Sequence, residues 1–551
     1  MTQTRLLDVF SALVEASPES VALLDGHAGT RAPSPVTRAE LATHAGRIAV
    51  VLADLDVTPG DGVAVWMPNW SSAVATQLAA LTLGAHVVGI NTRYNTDEVA
   101  HVLDSARPKV VVIADGFAQV DLVDRLTRAA AATTAPLPAV LVLSAPGLPP
   151  AEHPERFDVG NGAHAVPADG PTLPLKAHPV AGLATAFTTS GSTGRAKLAA
   201  HSEHGVVTQA LAVAEATGMN ADSVIMGVLP LSGVFGFTPV MAALLTGATA
   251  LLEPVFDDSG VLADLSAARV THAAGADDVF SRLQAAWHVD QPPMALQWIG
   301  IADFEGKSRA FAQWAEQQWG TTVVGVYGSS ETFALAAFWH ATDPTPARWG
   351  GGGRPVSPEI EWRLADPVTG QPVADGVDGE IQFRGYNVVD AYLGDERLIH
   401  SASTDDGWFT SGDLGRRHDD GSFTYICRMG DVLRLRGFLV DPAEIELRLL
   451  QHPKVNIAKV VGATGTEGGT VAVAFVVPTD DAAGESQVDE AELLAWCAES
   501  LAKFKVPQRV VIRDALPTTA GTNGTKIRAA ALRTIAAEIL AGDVPHRSVD
   551  A

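Results

Sequence analysis

The sequence predicts an α/β protein with a large N-terminal domain of several subdomains, built from mostly parallel sheets and helices, and a small α+β C-terminal domain. Three observations support this prediction. Short β-branched runs alternate with helix-like stretches through the first half of the chain, which favours βαβ units. The pattern changes beyond residue 414 and starts again near residue 441. The 551 residues correspond to three or four folding units at roughly 150 residues each.

The first elements follow from local composition. The start of the chain is amphipathic and carries acids, so we expect a helix and not a signal peptide. Gly62–Met67, His86–Ile90 and Lys109–Ile113 are rich in β-branched residues and are predicted strands. Ser71–Leu83 is rich in Ala and Leu and is a predicted helix. Residues 147–179 have no periodicity and are predicted to form a loop.

The domain boundary is expected near Arg428–Asp431, which gives a large domain over 1–429 and a small one over 430–551. A turn at Asp419–Gly421 and a strand at Phe423–Ile426 precede this boundary. Beyond it, the pattern predicts a compact unit of about 120 residues, within the usual size of a domain. Its predicted elements are a helix at Pro442–Gln451, strands at Ala458–Val461 and Val471–Val477, and a helix at Glu490–Leu501.

Charge and cysteine content exclude several classes of protein. The formal net charge of −25 makes non-specific binding to nucleic acid unfavourable. Cys427 and Cys497 are too few for a disulfide framework or a cysteine-ligated metal site. The apolar stretches Ala73–Ile90 and Pro239–Phe256 contain polar residues and are marginal as membrane spans. We therefore expect a cytoplasmic enzyme without stable membrane insertion, in which both stretches are buried in an α/β core.

The densest chemical signal is the segment Thr188-Thr-Ser-Gly-Ser-Thr-Gly-Arg-Ala-Lys197. Its glycines allow backbone N–H groups to converge on an anion, its hydroxyls add donors, and its lysine adds charge. The spacing differs from that of a Walker A loop. The segment therefore predicts a polyphosphate-binding loop, although a flexible polar loop has the same composition.

This loop resembles the Thr-Ser-Gly-Thr-Thr-Gly-x-Pro-Lys-Gly motif of the adenylate-forming (ANL) superfamily, which includes acyl-CoA synthetases, peptide-synthetase adenylation domains and luciferases. The matches are collinear over nearly the whole chain, so the sequence is identified as a member, in the branch of acyl-CoA synthetases and fatty-acid–CoA ligases. Further segments that resemble motifs of this superfamily are Tyr327-Gly-Ser-Ser-Glu331, Gly379-Glu-Ile-Gln-Phe-Arg-Gly385, Trp408-Phe-Thr-Ser-Gly-Asp-Leu414, Pro442-Ala-Glu-Ile-Glu446, Phe504-Lys-Val-Pro507 and Leu516-Pro-Thr-Thr519, which leads to Lys526.

The resemblance implies a reaction in two steps. ATP and a carboxylic acid form an acyl-adenylate with release of pyrophosphate, and the thiol of coenzyme A then displaces AMP. Charge develops on phosphoryl oxygens, so donors, a divalent cation and a lysine are needed. The implied catalytic residues are Lys526, Glu331 and Lys197, with Mg²⁺ on Glu331. The implied ATP- and AMP-binding residues are Thr189, Ser190, Gly191, Ser192, Thr193, Gly194, Gly300, Tyr327, Gly328, Ser330, Asp413 and Arg428. Those implied for coenzyme A are Arg436, Gly437 and Phe438.

Each role has a structural alternative when the residue is taken alone. Asp413 could cap a turn, Glu331 could be an acid at a helix N-terminus, and Lys526 could be a solvated surface lysine. In the superfamily the small domain rotates between the two steps, and the pivot falls here at Gly430. Glycine permits such a rotation. His201 fits the superfamily's histidine after the loop only with a shift, so no role follows for it.

The acid substrate is less evident. Ser232 and Gly233 stand where the superfamily has a bulky Phe-His pair, which predicts an open acyl pocket. The other expected wall residues are Phe235, Trp298, Phe304 and the turn Gly275-Ala-Asp-Asp278, although core packing explains a residue such as Trp298 equally well. A roomy apolar site favours longer acyl groups by about 0.8 kcal/mol per buried CH₂. We expect a medium- or long-chain fatty acid, or a ring-bearing acid.

Three alternatives to a coenzyme A ligase remain open at this point. The acyl group could pass to a carrier protein or to an oxidative luminescent step. The chain could bind nucleotide or acyl groups without catalysis. An ATPase or kinase that forms ADP is disfavoured because the Walker spacing is missing.

Overall fold

A computed structural model describes residues 4–27, 29–117, 120–189, 196–290, 294–304, 306–367, 369–374, 376–395, 397–429, 433–435, 438–440, 442–465, 470–479, 488–501, 503, 505–521 and 524–541. For residues 434, 438, 439, 519–521 and 524–526 it describes the backbone alone.

The helices of the described chain fall on both sides of the expected boundary, with three beyond residue 430. They are α1 (Leu6–Ala16), α2 (Arg38–Asp54), α3 (Ser71–Thr82), α4 (Thr96–Ala106), α5 (Leu122–Ala132), α6 (Glu203–Thr217), α7 (Val234–Thr246), α8 (Asp258–Ala267), α9 (Asp277–Ala286), α10 (Ser308–Gln318), α11 (Arg397–Ser401), α12 (Pro442–Leu450), α13 (Glu490–Ser500) and α14 (Ala529–Ala541).

The strands form four sheets. They are β1 (Val21–Asp25), β2 (Ser34–Thr37), β3 (Gly62–Trp66), β4 (His86–Gly89), β5 (Val110–Asp115), β6 (Ala139–Ser144), β7 (Ala163–Ala165), β8 (Leu183–Thr188), β9 (Leu198–Ser202), β10 (Val224–Gly227), β11 (Thr249–Leu252), β12 (His272–Ala276), β13 (Trp298–Ala302), β14 (Thr322–Ser329), β15 (Phe333–Phe338), β16 (Gly352–Pro355), β17 (Glu361–Ala365), β18 (Gly379–Arg384), β19 (Ala391–Tyr392), β20 (Phe409–Arg417), β21 (Phe423–Arg428), β22 (Leu433–Leu435), β23 (Phe438–Val440), β24 (Val455–Thr464), β25 (Thr470–Pro478), β26 (Arg509–Ile512), β27 (Thr518–Gly521) and β28 (Gly524–Ile527).

Two large sheets make up the body of the molecule. One has the strand order β19-β9-β8-β4-β3-β5-β6-β7, and the other runs β17-β18-β20-β21-β16-β15-β14-β13-β12-β10-β11-β1-β2. The middle of each is parallel, as the strand–helix alternation predicts. Their strands are near-continuous apolar runs because helices cover both faces. The predicted α/β fold with mostly parallel sheets in the large domain is confirmed.

Helix α7 lies between the two large sheets. Its Val240 packs against Gly227 of the 13-stranded sheet, and its Phe237 ring contacts the ring of Phe187 in the 8-stranded sheet at 5.2 Å. The apolar stretch Ala73–Ile90 comprises α3 and β4, and both are buried. In the described part of the chain, no helix has the length and hydropathy that crossing a bilayer requires.

The chain beyond residue 432 builds a separate sheet with its own core. The order is β23-β22-β25-β24, with β26 added beside β25. Buried clusters lie on either face of this sheet, one against α12 and α13 and the other against α14. The loop predicted over 147–179 is wrong in part, since it contains a short 3₁₀ helix at Pro154–Phe157 and the strand β7. Elements of three or four residues are too short to produce a periodic pattern.

Candidate active site

The base of the expected phosphate loop is closed by hydrogen bonds across the hairpin of β8 and β9. Thr189 N–H donates to the Lys197 carbonyl at 2.8 Å, and Lys197 N–H donates to Thr189 Oγ1 at 3.3 Å. The Ser330 hydroxyl donates to the Thr188 carbonyl at 3.3 Å. Thr189, Lys197 and Ser330 are therefore brought together as expected. The expected residues Ser190, Gly191, Ser192, Thr193 and Gly194 lie outside the described part of the chain.

Tyr327, Asp413 and Arg428 form a hydrogen-bonded network beside this loop. The Tyr327 hydroxyl donates to Asp413 Oδ2 at 2.6 Å, and Arg428 donates to Asp413 Oδ1 at 2.8 Å. Asp413 and Arg428 are paired in register on β20 and β21. Asp413 is buried while the Arg428 side chain is about half exposed. The carboxylate can still accept from further donors, because each oxygen has two lone pairs.

The electrostatics of this network keep its members in fixed protonation states. Burial raises the pKa of Tyr327 well above its usual value, and the charge of Asp413 raises it further. Burial alone would lower the pKa of Arg428, but the charge of Asp413 and its hydrogen bond raise it above the usual value. The phenol thus remains a donor and the guanidinium remains a cation at neutral pH. The Tyr327 ring also packs against Phe383 and Phe423 and is almost wholly buried, whereas the sequence predicts a role against adenine.

The segment that carries Ser330 and Glu331 has an unusual backbone. Phe333 and Leu335 have φ angles of 63° and 59°, in the left-handed region that L-residues rarely adopt. A Cβ at Gly328 would lie 2.3 Å from the Phe333 carbonyl oxygen, so only glycine fits there. The contacts around the segment must stabilise this conformation.

Three side chains and one backbone N–H from distant parts of the chain hold the carbonyl groups of this segment. His201 Nε2 lies 2.7 Å from the Ser330 carbonyl oxygen. Gln209 Nε2 donates to the Ala334 and Leu335 carbonyls at 3.0 and 3.1 Å. Asn387 Nδ2 donates to the Thr332 carbonyl at 3.4 Å, and Val389 N–H donates to the Glu331 carbonyl at 2.7 Å.

His201 acts in this arrangement as a neutral donor. Burial lowers its pKa to about 4, so the imidazole carries a single N–H at pH 7. A carbonyl oxygen only accepts, so the proton resides on Nε2. The ring packs on Phe333 with a centroid distance of 4.0 Å. His201 therefore supports both the carbonyl of Ser330 and the strained residue Phe333.

Glu331 lies in the turn between β14 and β15 and not at a helix N-terminus, which was the structural alternative for it. Burial raises the pKa of its carboxyl group, while the charges of Arg428 and Lys197 lower it. The described residues contain no group of three or more histidine, cysteine or carboxylate side chains arranged to hold a metal ion by themselves. Mg²⁺ commonly takes one carboxylate plus phosphate oxygens and water. A partly buried carboxylate next to the phosphate loop fits such an ion.

Tyr392 is a neighbour of Glu331 that the sequence did not indicate. Lys197 Nζ lies 5.2 Å from the centroid of the Tyr392 ring. Burial raises the pKa of Tyr392, and the negative charge of Glu331 raises it further. Tyr392 thus lies beside the lysine of the phosphate loop and within the electrostatic influence of the carboxylate.

The small domain contacts the body close to these residues. The hairpin of β27 and β28 carries Lys526, and the backbone of β28 lies beside α9. Leu450 of α12 packs against Gly306 of the body. The side chains of Lys526 and Phe438 lie outside what the structure describes, as do Gly430, Arg436 and Gly437 altogether.

The expected acyl-pocket residues do not form one wall. Side chains alternate along a strand, and Gly275 pairs with Ile301, so it lies on the opposite face from Trp298 and Gly300. A Cβ on Gly275 would face Phe280 of α9 at 3.3 Å. Gly275 therefore packs toward the helices on the far face of the sheet.

Trp298 and Gly300 share the other face of β13. A Cβ on Gly300 would lie 2.5 Å from Cη2 of Trp298, so the indole ring covers the glycine. Gly300, expected to bind nucleotide, is buried beneath that ring. Phe235 is buried in the first turn of α7.

Ser232 lies at a small cavity between α3, α7 and the 8-stranded sheet. The cavity has a volume of about 30 Å³, and the residues that define it include Ser232, Met67, Gln77, Phe237 and Met241. This is room for about two water molecules. Gly233, which immediately precedes α7, does not line it. Of the two small residues expected to open a tunnel, only Ser232 therefore lines this small cavity, which lies on the opposite side of α7 from the 13-stranded sheet.

Two carboxylates, Asp277 and Asp303, directly follow the C-terminal ends of β12 and β13. Asp277 is fully buried and accepts hydrogen bonds from the N–H groups of Phe304 and Lys307 at 3.1 and 2.9 Å. Burial raises its pKa to about 6, and the negative charge of Asp303 contributes to this rise. Neither carboxylate was singled out from the sequence as an ionisable group.

Comparison with protein families gives two matches. The family described as AMP-binding enzyme matches residues 10–393, and the AMP-binding enzyme C-terminal domain matches residues 444–522.

Curated relatives of up to 30% identity match this chain over most of its length. One is the 3-[(3aS,4S,7aS)-7a-methyl-1,5-dioxo-octahydro-1H-inden-4-yl]propanoyl:CoA ligase of Rhodococcus jostii (strain RHA1), which is 30% identical over 85% of this chain and 88% of the relative. Another is the feruloyl-CoA synthase of an Amycolatopsis species, which is 30% identical over 91% of this chain and 94% of the relative.

Among solved structures, ATP-bound MatB from Rhodopseudomonas palustris superimposes with a TM-score of 0.80 and 25% identity, over 98% of this chain and 100% of that one. The apo structure of the same protein gives a TM-score of 0.70. Our structure thus shares more of its geometry with the ATP-bound form.

Proposed function

Because this chain belongs to the family of AMP-binding enzymes and is an ATP-dependent, AMP-forming acid–CoA ligase, we propose that its acid substrate is compact and ring-bearing. The sequence leaves a medium- or long-chain fatty acid open as well. The observation that carries the choice is the Trp298 indole ring lying across Gly300.

The acyl group is expected near the C-terminal ends of the parallel strands, where ligands of open α/β sheets bind. Gly300 lies two residues before Ala302, the last residue of β13, and this separation is roughly 7 Å along a strand. A straight alkyl chain that runs along this face of the strand meets the Trp298 ring at that depth. A flat ring can instead pack against the indole, because aromatic pairs are favourable in stacked and edge-to-face arrangements.

The names of relatives agree with this choice. The ligase of Rhodococcus jostii is named for a propanoate that carries a fused ring system, and the synthase of Amycolatopsis is named for feruloyl-CoA. Both relatives are 30% identical to this chain. At this distance their names support the class of acid and not its identity.

In the adenylation step, we propose that Thr189 and Lys197 bind the β- and γ-phosphates together with the loop between them, and that Ser330 contacts the α-phosphate. The hydrogen bonds at the base of the loop support this role by fixing its two ends. Donors that are positioned before the reaction stabilise the charge that develops on phosphoryl oxygens.

Asp413 would accept hydrogen bonds from the ribose hydroxyls in this proposal, and Arg428 would fix its orientation. The support is the network in which Tyr327 and Arg428 each hold one oxygen of the Asp413 carboxylate. Tyr327 then acts chiefly by orienting Asp413.

Glu331 would hold Mg²⁺ together with phosphate oxygens. The ion, when bound, neutralises phosphate charge during attack by the carboxylate. Burial raises the pKa of Glu331, and a bound cation would lower it again.

Lys526 would bridge the substrate carboxylate and the α-phosphate during adenylation, and rotation of the small domain about Gly430 would then bring Arg436, Gly437 and Phe438 to the thiol. Support comes from the position of β28 beside α9, whose first residue follows β12 at the expected acyl site. The greater likeness to the ATP-bound form of MatB agrees with an adenylation arrangement.

The proposed substrate class is tested by pyrophosphate release with a panel of acids. We expect aryl and fused-ring propanoates to give kcat/KM values at least tenfold above that of octanoate. If octanoate or a longer alkyl acid is preferred, the proposal is wrong. Product analysis with and without free coenzyme A separates the ligase from an enzyme that loads a carrier protein.

The role of Lys526 is tested in the two half-reactions separately. The Lys526→Ala variant should lose adenylation by about two orders of magnitude or more, as removal of one group that stabilises charge usually does. It should still transfer a supplied acyl-adenylate to coenzyme A at a rate close to wild type. Equal loss in both half-reactions would contradict the proposed role.

A further inference from the structure

Ser330 is held from two sides by the hairpin that carries the phosphate loop. Its hydroxyl donates to the Thr188 carbonyl at 3.3 Å, and its own carbonyl oxygen lies 2.7 Å from His201 Nε2. Thr188 is the last residue of β8 and His201 lies in β9, so these partners belong to the strands before and after the loop. The position of Ser330 relative to the loop therefore depends on both contacts.

His201 itself is tightly packed. The residue is fully buried, and its ring centroid lies 4.0 Å from that of Phe333 and 5.9 Å from that of Phe187. Phe333, with its left-handed φ of 63°, follows Ser330 by three residues. The imidazole thus packs against one end of the turn that carries Glu331 and donates a hydrogen bond to the other end.

A histidine at this position has a cost that an apolar side chain would avoid. Its Nδ1 is buried and has no hydrogen-bond partner among the described residues. A buried acceptor without a partner destabilises the folded state, and such a group in a native structure calls for an explanation. A phenyl ring would fill similar space without this cost, but it would lose the contact with Ser330. The hydrogen bond that His201 donates is therefore the property that distinguishes histidine here.

That contact matters most when a nucleotide binds. The Ser330 hydroxyl has one proton, so it must leave the Thr188 carbonyl before it can donate to a phosphate oxygen. Of the two contacts, the one from His201 then remains and holds the peptide unit between Ser330 and Glu331. A misplacement of ~1 Å in an active site can lower the rate by about 100-fold. Holding this carbonyl therefore fixes the backbone from which the hydroxyl reaches its new acceptor.

We propose that His201 is a positioning residue of the adenylation step, which holds the Ser330 carbonyl through Nε2–H so that the Ser330 hydroxyl meets the α-phosphate. The proposal rests on the contact with the α-phosphate proposed above for Ser330. His201 is fully buried and acts only through the backbone of Ser330.

Four variants separate this role from a purely structural one. His201→Phe keeps a ring and removes the donor, whereas His201→Gln removes the ring and keeps an N–H donor at a similar distance from the backbone. Ser330→Ala reports on the proposed phosphate contact itself. His272→Phe is the matched control, because His272 is also buried and its Nε2 lies 3.1 Å from a backbone carbonyl, that of Thr217. His272 begins β12, at the opposite end of the strand from the expected ligand site.

The first measurement is calorimetric binding of AMP and of adenosine, which differ only in the α-phosphate, so no catalysis is needed. Ser330→Ala should lower the preference for AMP about tenfold, as loss of a hydrogen bond to a charged group does. His201→Phe should lower it at least fivefold, with adenosine affinity within twofold of wild type. His201→Gln and His272→Phe should keep the wild-type preference within twofold. A purely structural defect would weaken both ligands alike.

The second measurement is the same preference in the double variant His201→Phe/Ser330→Ala. Because His201 acts through Ser330, the double variant should lose no more than Ser330→Ala alone. If the two losses multiply, His201 acts independently of Ser330 and the proposal is overturned. His201→Met, whose flexible side chain adapts to the space, is the second variant without the donor if His201→Phe does not fold, and the same losses are expected of it.

The remaining outcomes separate this proposal from the proposed function. If Ser330→Ala lowers the preference for AMP and His201→Phe does not, the role of His201 is overturned while that of Ser330 stands. Failure of His201→Gln to retain the preference, or a loss in His272→Phe as large as in His201→Phe, would also overturn it. If Ser330→Ala leaves the preference unchanged, the proposed role of Ser330 fails and the role of His201 fails with it.

Discussion

Replacing the buried carboxylate Asp277 by asparagine should change how stability depends on pH. Burial and the neighbouring charge of Asp303 raise the pKa of Asp277 from 3.8 to about 6. A shift of this size corresponds to about 3 kcal/mol. Because the folded-state pKa is raised, this contribution to stability is complete below pH 3.8 and is lost as the pH rises through 6.

The Asp277→Asn variant is neutral at every pH and lacks this loss. Between pH 4 and pH 7, its free energy of unfolding should therefore rise by about 3 kcal/mol relative to wild type. The amide has a single acceptor oxygen, so it cannot accept from both the Phe304 and the Lys307 N–H groups as the carboxylate does. That change adds an offset that does not depend on pH, so only the trend with pH is compared.

Urea unfolding followed by tryptophan fluorescence is a suitable assay. Trp287 follows the C-terminal end of α9 and contacts Trp314 and Trp319 in and after α10, so their emission reports on the packing of α9, the helix that begins at Asp277. A chain of this size need not unfold in two states, so transition midpoints at each pH are compared at equal slopes.

A difference between variant and wild type that stays flat from pH 4 to pH 7 would refute this reasoning. The Asp303→Asn variant is the companion test, because it removes the charge and leaves the burial. It should make the pH-dependent loss smaller but not abolish it, since burial is the larger cause. If Asp303→Asn removes the whole effect, charge repulsion dominates and the attribution to burial is wrong.

Further predictions concern the network and the acyl site. Tyr327→Phe removes the hydrogen bond that the Tyr327 hydroxyl donates to the charged Asp413 carboxylate. This should lower the free energy of unfolding by about 1.5–3 kcal/mol in chemical denaturation, and an unchanged midpoint would contradict it. Trp298→Ala should raise kcat/KM for octanoate at least tenfold relative to an aryl propanoate in pyrophosphate release, and an unchanged ratio would show that the ring does not limit the acyl group. Gln209→Leu leaves the Ala334 and Leu335 carbonyls without the donor that Gln209 provides. It should lower the free energy of unfolding by about 1–3 kcal/mol and raise KM for ATP. Gln209→Glu is the comparison that keeps the length of the side chain.

The strand–helix alternation and the order of motifs were sufficient to predict the body of this protein. Gly62–Trp66, Ser71–Thr82 and His86–Gly89 lie within the predicted ranges, since buried parallel strands and their crossover helices have strong local signals. Thr189, Lys197 and Ser330 could be grouped because the motifs that contain them resemble those of a known superfamily.

The supporting residues of the site could not be predicted in this way. His201 and Gln209 act on carbonyl groups more than 120 residues away along the chain. Tyr392 reaches Lys197 only because β19 adds to the edge of β9, and a two-residue strand has no periodic signal. Gly275 was assigned to the acyl wall from sequence order, but the register between β12 and β13 places it on the other face of the sheet.

The geometry around Arg428 bears on how the two domains can move. Arg428 is the last residue of β21, and Met429 N–H donates to the Gly412 carbonyl at 2.8 Å. The chain is thus fixed to the strand of Asp413 up to residue 429. If the small domain rotates as proposed, the rotation must begin beyond Met429, so that Arg428 and Asp413 keep their contact in both arrangements. The ribose would then stay bound to the body while the small domain replaces one set of residues at the acyl group with another. A pivot placed one residue before Arg428 would instead break the ion pair between Arg428 and Asp413 at each rotation.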